Sequence, residues 1–228
     1  MEIKKRKEWE KKSKQSRIVD IAEDLFNTKG YEATTLDIIA KIAGYSKRNL
    51  YQYFSDKNEI FNAVTLKALK RLNAKLADIS NYDINGLNKT VTVINAFFTF
   101  FMNYRKSFEN IIFFDITYYH TSSISDTEED PESFGVQAKN LHEENLNIML
   151  RAIEQGAKDG SILSNFTPKQ LQLIIWGQNM GVIHSIANRY DYLETEYGCT
   201  PQEVFANYLK MINNCMQCAI TKSPNIKV

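Results

Sequence analysis

Lys47, Arg48, Asn49, Tyr51, Gln52 and Tyr53 fall within seven consecutive positions, interrupted by Leu50 alone. These residue types share one competence, hydrogen bonding to a polyanion and to the edges of its bases. Lysine and arginine reach guanine edges or phosphates, Asn and Gln bracket adenine, and tyrosine hydroxyls donate to phosphate oxygens. Covalent chemistry has no comparable set. The sequence holds no glycine-rich phosphate loop, no nucleophile elbow and no His-Glu-x-x-His spacing. The residues therefore describe a binding protein rather than an enzyme, with no cofactor and no metal.

Presenting such side chains on one face calls for short, capped helices. From Ser16 the apolar positions Ile18, Ile21, Ala22, Leu25 and Phe26 recur with helical period, and Lys29-Gly30 supplies a stop. Thr35 caps a second helix of barely two turns whose Leu36, Ile39, Ala40 and Ala43 face inward, ending at Gly44. Ser46 caps a third, predicted over Lys47 to Phe54, with Leu50 and Phe54 inward and the polar set outward. Two short helices joined by a tight glycine-containing turn, the second polar outside, are a helix-turn-helix arrangement. A three-helix bundle used for protein contact is the competing reading. Asp56 with Glu59 three positions on predicts a capping box, opening a fourth helix with an inner stripe of Ile60, Val64, Leu72, Leu76 and Ile79.

Gly30-Tyr31-Glu32-Ala33-Thr34-Thr35-Leu36, then Ile39-Ala40, Ala43-Gly44, Ser46-Lys47, Leu50-Tyr51, Tyr53-Phe54 and Lys57 resemble the signature of the TetR family of bacterial repressors. The resemblance covers about a quarter of the chain. It implies that Thr35, Ser46, the Lys47–Tyr53 helix and Lys57 approach double-stranded operator DNA. Tyr51, Tyr53 and Lys57 would lie on phosphates, and Lys47, Arg48, Asn49 and Gln52 near bases. Tyr45 departs from the usual valine, Arg48 from the frequent glycine and Ile38 from the common acidic residue, so the operator sequence cannot be borrowed from a relative.

Residues 1–57 form the expected DNA-binding domain, with a basic arm over Lys4 to Lys14 that either is disordered or tracks phosphates and the minor groove. Residues 58–228 form a larger helical domain for ligand binding and dimerisation. Its helices are predicted over Leu87 to Met102, Arg105 to Tyr119 and Glu132 to Lys158. Two more open on Thr167-Pro168 and Thr200-Pro201-Gln202-Glu203. Ser122 to Pro131 reads as a solvated acidic loop.

Aromatic residues concentrate between Phe97 and Tyr119. They are either core or the walls of a cavity, since pockets are lined mostly by apolar and aromatic groups. In a TetR-like fold this region encloses an apolar or aromatic small-molecule inducer, and Phe98, Phe101, Tyr104, Phe113, Phe114, Tyr118, Trp176, Met180 and His184 are its candidate contacts. Asp115 or Glu109 within an aromatic cage would suit a cationic ligand. His184 reads alternatively as a satisfied core histidine.

Gly177, Gly181 and Ser185 lie four apart on one stripe, and Val204, Tyr208, Met211, Ile212, Cys215 and Ala219 form another. They either face their own core or pair with their copies in a four-helix interface of a homodimer. Cys215-Met216-Gln217-Cys218 is a CxxC without further ligands, read as packing ahead of redox or zinc chemistry.

Composition agrees with these assignments. Four prolines and nine glycines in 228 residues leave long uninterrupted helical stretches, so the fold is expected to be all-α. The net charge of +1 conceals 13 Lys/Arg against 9 Asp/Glu in residues 1–57 and 15 against 18 beyond, which assigns any polyanion partner to the N-terminal quarter. The start lacks an apolar signal segment, and Val91 to Tyr119 is broken by charges too often to span a membrane. A cytoplasmic protein without a disulfide framework is expected from three late cysteines.

Overall fold

The computed structural model describes residues 2–122 and 130–218, with side chains over 4–117 and 130–218. All its regular elements are helices: α1 (Glu2–Lys29), α2 (Leu36–Ala43), α3 (Lys47–Leu50), α4 (Lys57–Ile79), α5 (Gly86–Asn103), α6 (Arg105–Ser122), α7 (Phe134–Asp159), α8 (Pro168–Asn188), α9 (Leu193–Tyr197) and α10 (Pro201–Gln217). The all-α expectation holds. The side chains of Tyr118 and His120, most of the acidic run and Ala219 lie outside the described residues.

The ends of these helices follow from local chemistry. Thr167 accepts from the backbone of Gln170 and receives its side chain in return, and Thr200 and Glu203 do the same, so both proline-led helices start in full capping boxes. Asp56 accepts from Glu59 N at 2.8 Å. Glu59, however, does not complete the box, because its carboxylate accepts from Phe134 N at 2.6 Å instead. Two further boundaries depart from expectation. Helix α1 begins at Glu2 rather than Ser16, and its basic arm is helical, with i,i+4 pairs Arg6–Glu10 at 3.1 Å and Glu8–Lys12 at 3.2 Å. Helix α3 is regular only through Leu50, after which Gln52 N and Tyr53 N bond the carbonyls of Asn49 and Leu50, tightening the last turn to i→i−3 bonding. Short α9 was invisible to periodicity, since five residues hold barely one repeat of a helical pattern.

The chain divides into two compact units, Met1–Arg71 with Tyr104–His142, and Leu72–Asn103 with Glu143–Val228. In the first, Ile18, Ala22, Leu25 and Phe26 of α1, Ile39, Ala40 and Ala43 of α2, and Leu50, Phe54, Ile60 and Val64 are buried. Phe61 and Phe113 meet edge to face at 5.5 Å, and Phe54 stacks on Phe134 at 5.5 Å. His142, buried on α7, shares a 2.8 Å hydrogen bond with Asp115 of α6.

In the second unit α5, α8 and α10 pack on one another. Phe98 of α5 stacks on Phe205 of α10 at 3.9 Å with the rings 5° from parallel, and Phe97 meets Trp176 of α8 at 5.3 Å. Leu163 N donates to Met216 O at 2.7 Å, tying the approach to α8 to the end of α10. Helix α5 starts against α7 with backbone nearly touching backbone. A Cβ on Gly86 would lie 1.9 Å from Gly156 N, so this crossing admits only glycine. Asp159 closes the junction by accepting from Gly86 N at 2.8 Å, and hydrogen bonds from Ser161 and Gly86 hold its carboxyl below the usual range.

A methyl group at Gly86 meets the α7 backbone and forces the two helices apart, which should cost about 1–3 kcal/mol. Gly86→Ala should accordingly lower the thermal midpoint, read by circular dichroism, by at least ~2 °C; an unshifted midpoint would refute the close approach. Because the folded pKa of Asp159 is depressed, its contribution is complete above its ordinary value of 3.8 and is lost as pH falls through the folded one. Asp159→Asn should therefore flatten the stability profile below about pH 4 while leaving its slope near neutrality unchanged.

Candidate nucleic-acid interface

The polar segment read from the sequence is built on two side-chain caps and one glycine. Thr35 Oγ1 accepts from Ile38 N at 3.3 Å and starts α2. Gly44 ends it at φ 77°, a left-handed conformation that lets its N–H and that of Tyr45 return to the carbonyls of Lys41 and Ala40. Ser46 Oγ then accepts from Asn49 N at 3.2 Å and starts α3. Each cap stabilises by roughly 1 kcal/mol, and together they fix the turn between the helices. Leu50, 1% exposed, anchors the inner side.

On the outer side Lys47, Arg48, Asn49, Tyr51 and Gln52 are all exposed. Lys47 reaches back to Asp37 of α2 at 2.9 Å, and that hydrogen bond raises its pKa. Tyr53 is half-buried, with its ring 6.0 Å from that of Tyr45 and its carbonyl accepting from Gln15 Nε2 of α1 at 3.1 Å. Lys57 points inward to Tyr31, donating to its carbonyl at 3.1 Å and standing 4.0 Å over its ring. Thr35 and Ser46 spend their hydroxyls as acceptors in caps. The structure thus gathers Lys47, Arg48, Asn49, Tyr51 and Gln52 on one solvent face and sets Lys57 apart from them.

Sequence reasoning missed the residues that hold this face in place. Glu23 of α1, buried, receives Arg71 Nη1 and Lys67 Nζ of α4, each at 2.6 Å, and Lys67 also pairs with Asp20. Tyr31 hydrogen bonds Asn58 through its hydroxyl and packs its ring 5.1 Å from Phe61 and 5.9 Å from Phe113. Burial, with Glu32 and Asp56 nearby, pushes its phenol upward from its ordinary pKa. A signal existed: acids at 20 and 23 and cations at 67 and 71 repeat at one helical turn on two amphipathic stretches.

Residues 18–64, which include Glu23, Tyr31 and the whole polar segment from Thr35 to Lys57, match the family described as bacterial regulatory proteins, tetR family. That segment carries the family's domain. Over 74 residues, 31% of this chain, it is 38% identical to the biofilm operon icaADBC HTH-type negative transcriptional regulator IcaR of Staphylococcus aureus. That stretch is 40% of IcaR, and the matched segments are less than half the length of the curated relatives. Two solved structures share the fold over most of the chain. A tetR-family regulatory protein from Rhodococcus RHA1 superposes with a TM-score of 0.63 at 22% identity, over 90% of this chain and 98% of that one. FadR from Bacillus subtilis, solved in complex with stearoyl-CoA, gives 0.62 at 15% identity, over 88% and 98%. The family consists of regulatory proteins, not enzymes.

The aromatic candidates for an inducer are distributed between the two units. Phe98, Phe101, Trp176 and Met180 belong to the second unit, and Phe101 is fully buried. Tyr104, Phe113 and Phe114 belong to the first, where Phe113 packs on Tyr31 and Phe61. His184 is no core histidine. It lies on the exposed face of α8, 2.8 Å from Asn188, because the apolar residues around it on that helix point the other way. Glu109 is engaged by Arg105 and Lys106, and Asp115 by His142, so neither acid is held ready for a cation. Cys215 and Cys218 are both exposed.

Glu23→Ala removes the acceptor shared by two cations. It should lower stability by about 1–3 kcal/mol, whereas exposed Glu10→Ala should change it by less than about 0.5 kcal/mol. Urea denaturation of the two variants makes the comparison, and equal midpoints would show that the α1–α4 pairing is ornamental.

Proposed function

We propose that this chain is a ligand-responsive transcriptional repressor that grips a palindromic operator as a homodimer and is released by a small molecule. The observation that carries the reading is the exposed Lys47, Arg48, Asn49, Tyr51 and Gln52 set on a helix capped at Ser46 and braced by α1, within a segment that matches a family of DNA-binding regulators. Residues 1–57 are the DNA-reading domain and 58–228 the ligand-binding and dimerising one. Arg48, Asn49 and Gln52 read base edges, while Tyr51, Tyr53 and a reoriented Lys57 meet phosphates. Lys57 can do so only by leaving Tyr31, so its contribution is smaller than that of residues already exposed.

Support for the homodimer comes from the outer faces of α8 and α10. Leu173 is 71% and Met211 66% exposed, and nothing lies within 4 Å of a Cβ built on Gly177 or Gly181. Apolar side chains beside a glycine stripe, left open to solvent, suit close approach by a second pair of helices. Tyr208 and Ile212, expected on the same stripe, turn into their own core.

A two-fold dimer sets its recognition helices one DNA turn apart, which is why the operator should be an approximate palindrome. The inducer acts by favouring a dimer state whose spacing no longer fits, with about 1–3 kcal/mol of coupling. Helix α4, which begins beside the reading face and continues into the second unit, is the lever. The work takes place in the cytoplasm, where the DNA is.

Fluorescence anisotropy against DNA from upstream of the chain's own gene, with scrambled competitor, tests this. Affinity should fall by about 10³–10⁵ between 50 and 200 mM salt if six to ten phosphates are contacted. Arg48→Ala should weaken binding by about 1–3 kcal/mol without moving the thermal midpoint. Binding no tighter than to scrambled DNA, for upstream fragments and for a genomic library alike, would leave a ligand-binding protein without DNA function. In the same preparation Gly181→Arg should yield folded monomers by sedimentation, and a dimer persisting in that variant would move the interface elsewhere.

A further inference from the structure

Among the described buried side-chain polar atoms of the second unit, three have no hydrogen-bond partner: both amide atoms of Asn179 and the hydroxyl of Tyr208. Asn179 is fully buried on the inner face of α8, between Ile175 and Ile183. Tyr208 is almost fully buried on α10, and its burial pushes the phenol far above its ordinary pKa. An enclosed amide and hydroxyl without partners are costly, and native proteins satisfy such groups through ordered water, an ion or a ligand. Both sit one helical turn beyond a ring that clasps α5: Trp176, against Phe97, on α8 and Phe205, against Phe98, on α10.

A groove of about 310 Å³ lies against Phe205, between α5 and α10. Phe98, Met102, Phe205 and Leu209 form its apolar walls, Asn95 and Gln202 stand on its rim, and none of its lining residues is charged. Phe205 is common to both features, stacking on Phe98 at the groove and lying 5.4 Å from the Tyr208 ring. Another cleft of this unit, between α4, α5 and α7, has a volume of about 140 Å³. Its two cations are already engaged, Lys89 by the Ser80 carbonyl and Arg151 by Glu144.

We infer that the α5/α10 groove and the buried Asn179 and Tyr208 form a binding site for an uncharged amphiphile, an apolar body bearing one hydroxyl or carbonyl group. The inference rests on the ligand-responsive reading above and specifies its ligand. The body lies along Phe98, Met102 and Leu209. Its polar group passes Phe205 to reach Asn179, which can both donate and accept, and Tyr208. A carboxylate or an ammonium would enter this site with no opposite charge to meet it, so charged analogues are excluded by desolvation.

The test is the thermal midpoint of the full chain with n-octanol, octanoate or octylammonium, repeated for Asn179→Leu and Tyr208→Phe. n-Octanol should raise the midpoint of the parent protein saturably, and the two ions at equal concentration should not. Each variant without additive should melt at or above the parent, because an unpartnered polar group has gone, and should need at least ten times more n-octanol for the same shift. Lowered midpoints in both variants would assign the two residues to structure alone and overturn the site. So would an n-octanol shift that both variants keep, no shift in the parent, or an equal response to octanoate. Anisotropy with operator DNA on the same samples separates the two readings. Retained DNA binding without an n-octanol response sinks only this site, and an n-octanol response without DNA binding sinks only the regulator.

Discussion

Glu23 is 8% exposed on α1, and a carboxylate in that position must be met by positive charge or the helix cannot sit where it does. Arg71 and Lys67, one helical turn apart on α4, meet it at 2.6 Å each. The pairing sets α1 against α4 in one register, since sliding either helix by a turn would strand the buried charge. Tyr31 repeats the constraint at the far end of α1, where its ring takes Lys57 on its face and Phe61 at its edge. Everything that carries the polar face hangs from this clamp. Helix α2 packs on α1, α3 packs on α2, and Gln15 of α1 holds the backbone of Tyr53 directly.

The parts legible in the sequence were those whose physics is local. Thr35, Ser46, Thr167 and Thr200 cap helices through atoms three residues away, and Gly44 stops α2 by its own φ, so short windows of sequence suffice to find them. The outward set at 47–52 was legible for the same reason: a capped helix with Leu50 inward leaves its neighbours outside. What stayed hidden depends on distance along the chain. Glu23 meets partners 44 and 48 residues on, and Gly86 needs Gly156. The reach of α1 back to Glu2 was hidden differently, because charge runs read as solvated arm or as paired helix until the i,i+4 geometry is seen. Periodicity also could not tell cavity wall from core, and Phe113, a candidate ligand contact by sequence, turns out to brace Tyr31.

Both units combine matched buried polar groups with unmatched ones. In the first, Glu23, Asp115 with His142, and Tyr31 with Asn58 are matched, while Asn27 Oδ1, Thr65 Oγ1 and Asn110 Nδ2 are buried without hydrogen-bond partners. In the second, Asn73 pairs with Asn145 at 2.8 Å, yet Asn179 and the Tyr208 hydroxyl are left without partners inside a core of stacked aromatics.

The account stands or falls on whether the exposed face of α3 meets DNA with two-fold symmetry. Hydroxyl-radical footprinting of the wild-type protein on fragments selected from genomic DNA measures this directly. The account predicts two protected patches related by a dyad, centred about one helical turn or a multiple of it apart, with the patches lost together in Arg48→Ala. Protection without a dyad, or fragments selected no better than random DNA, would contradict it.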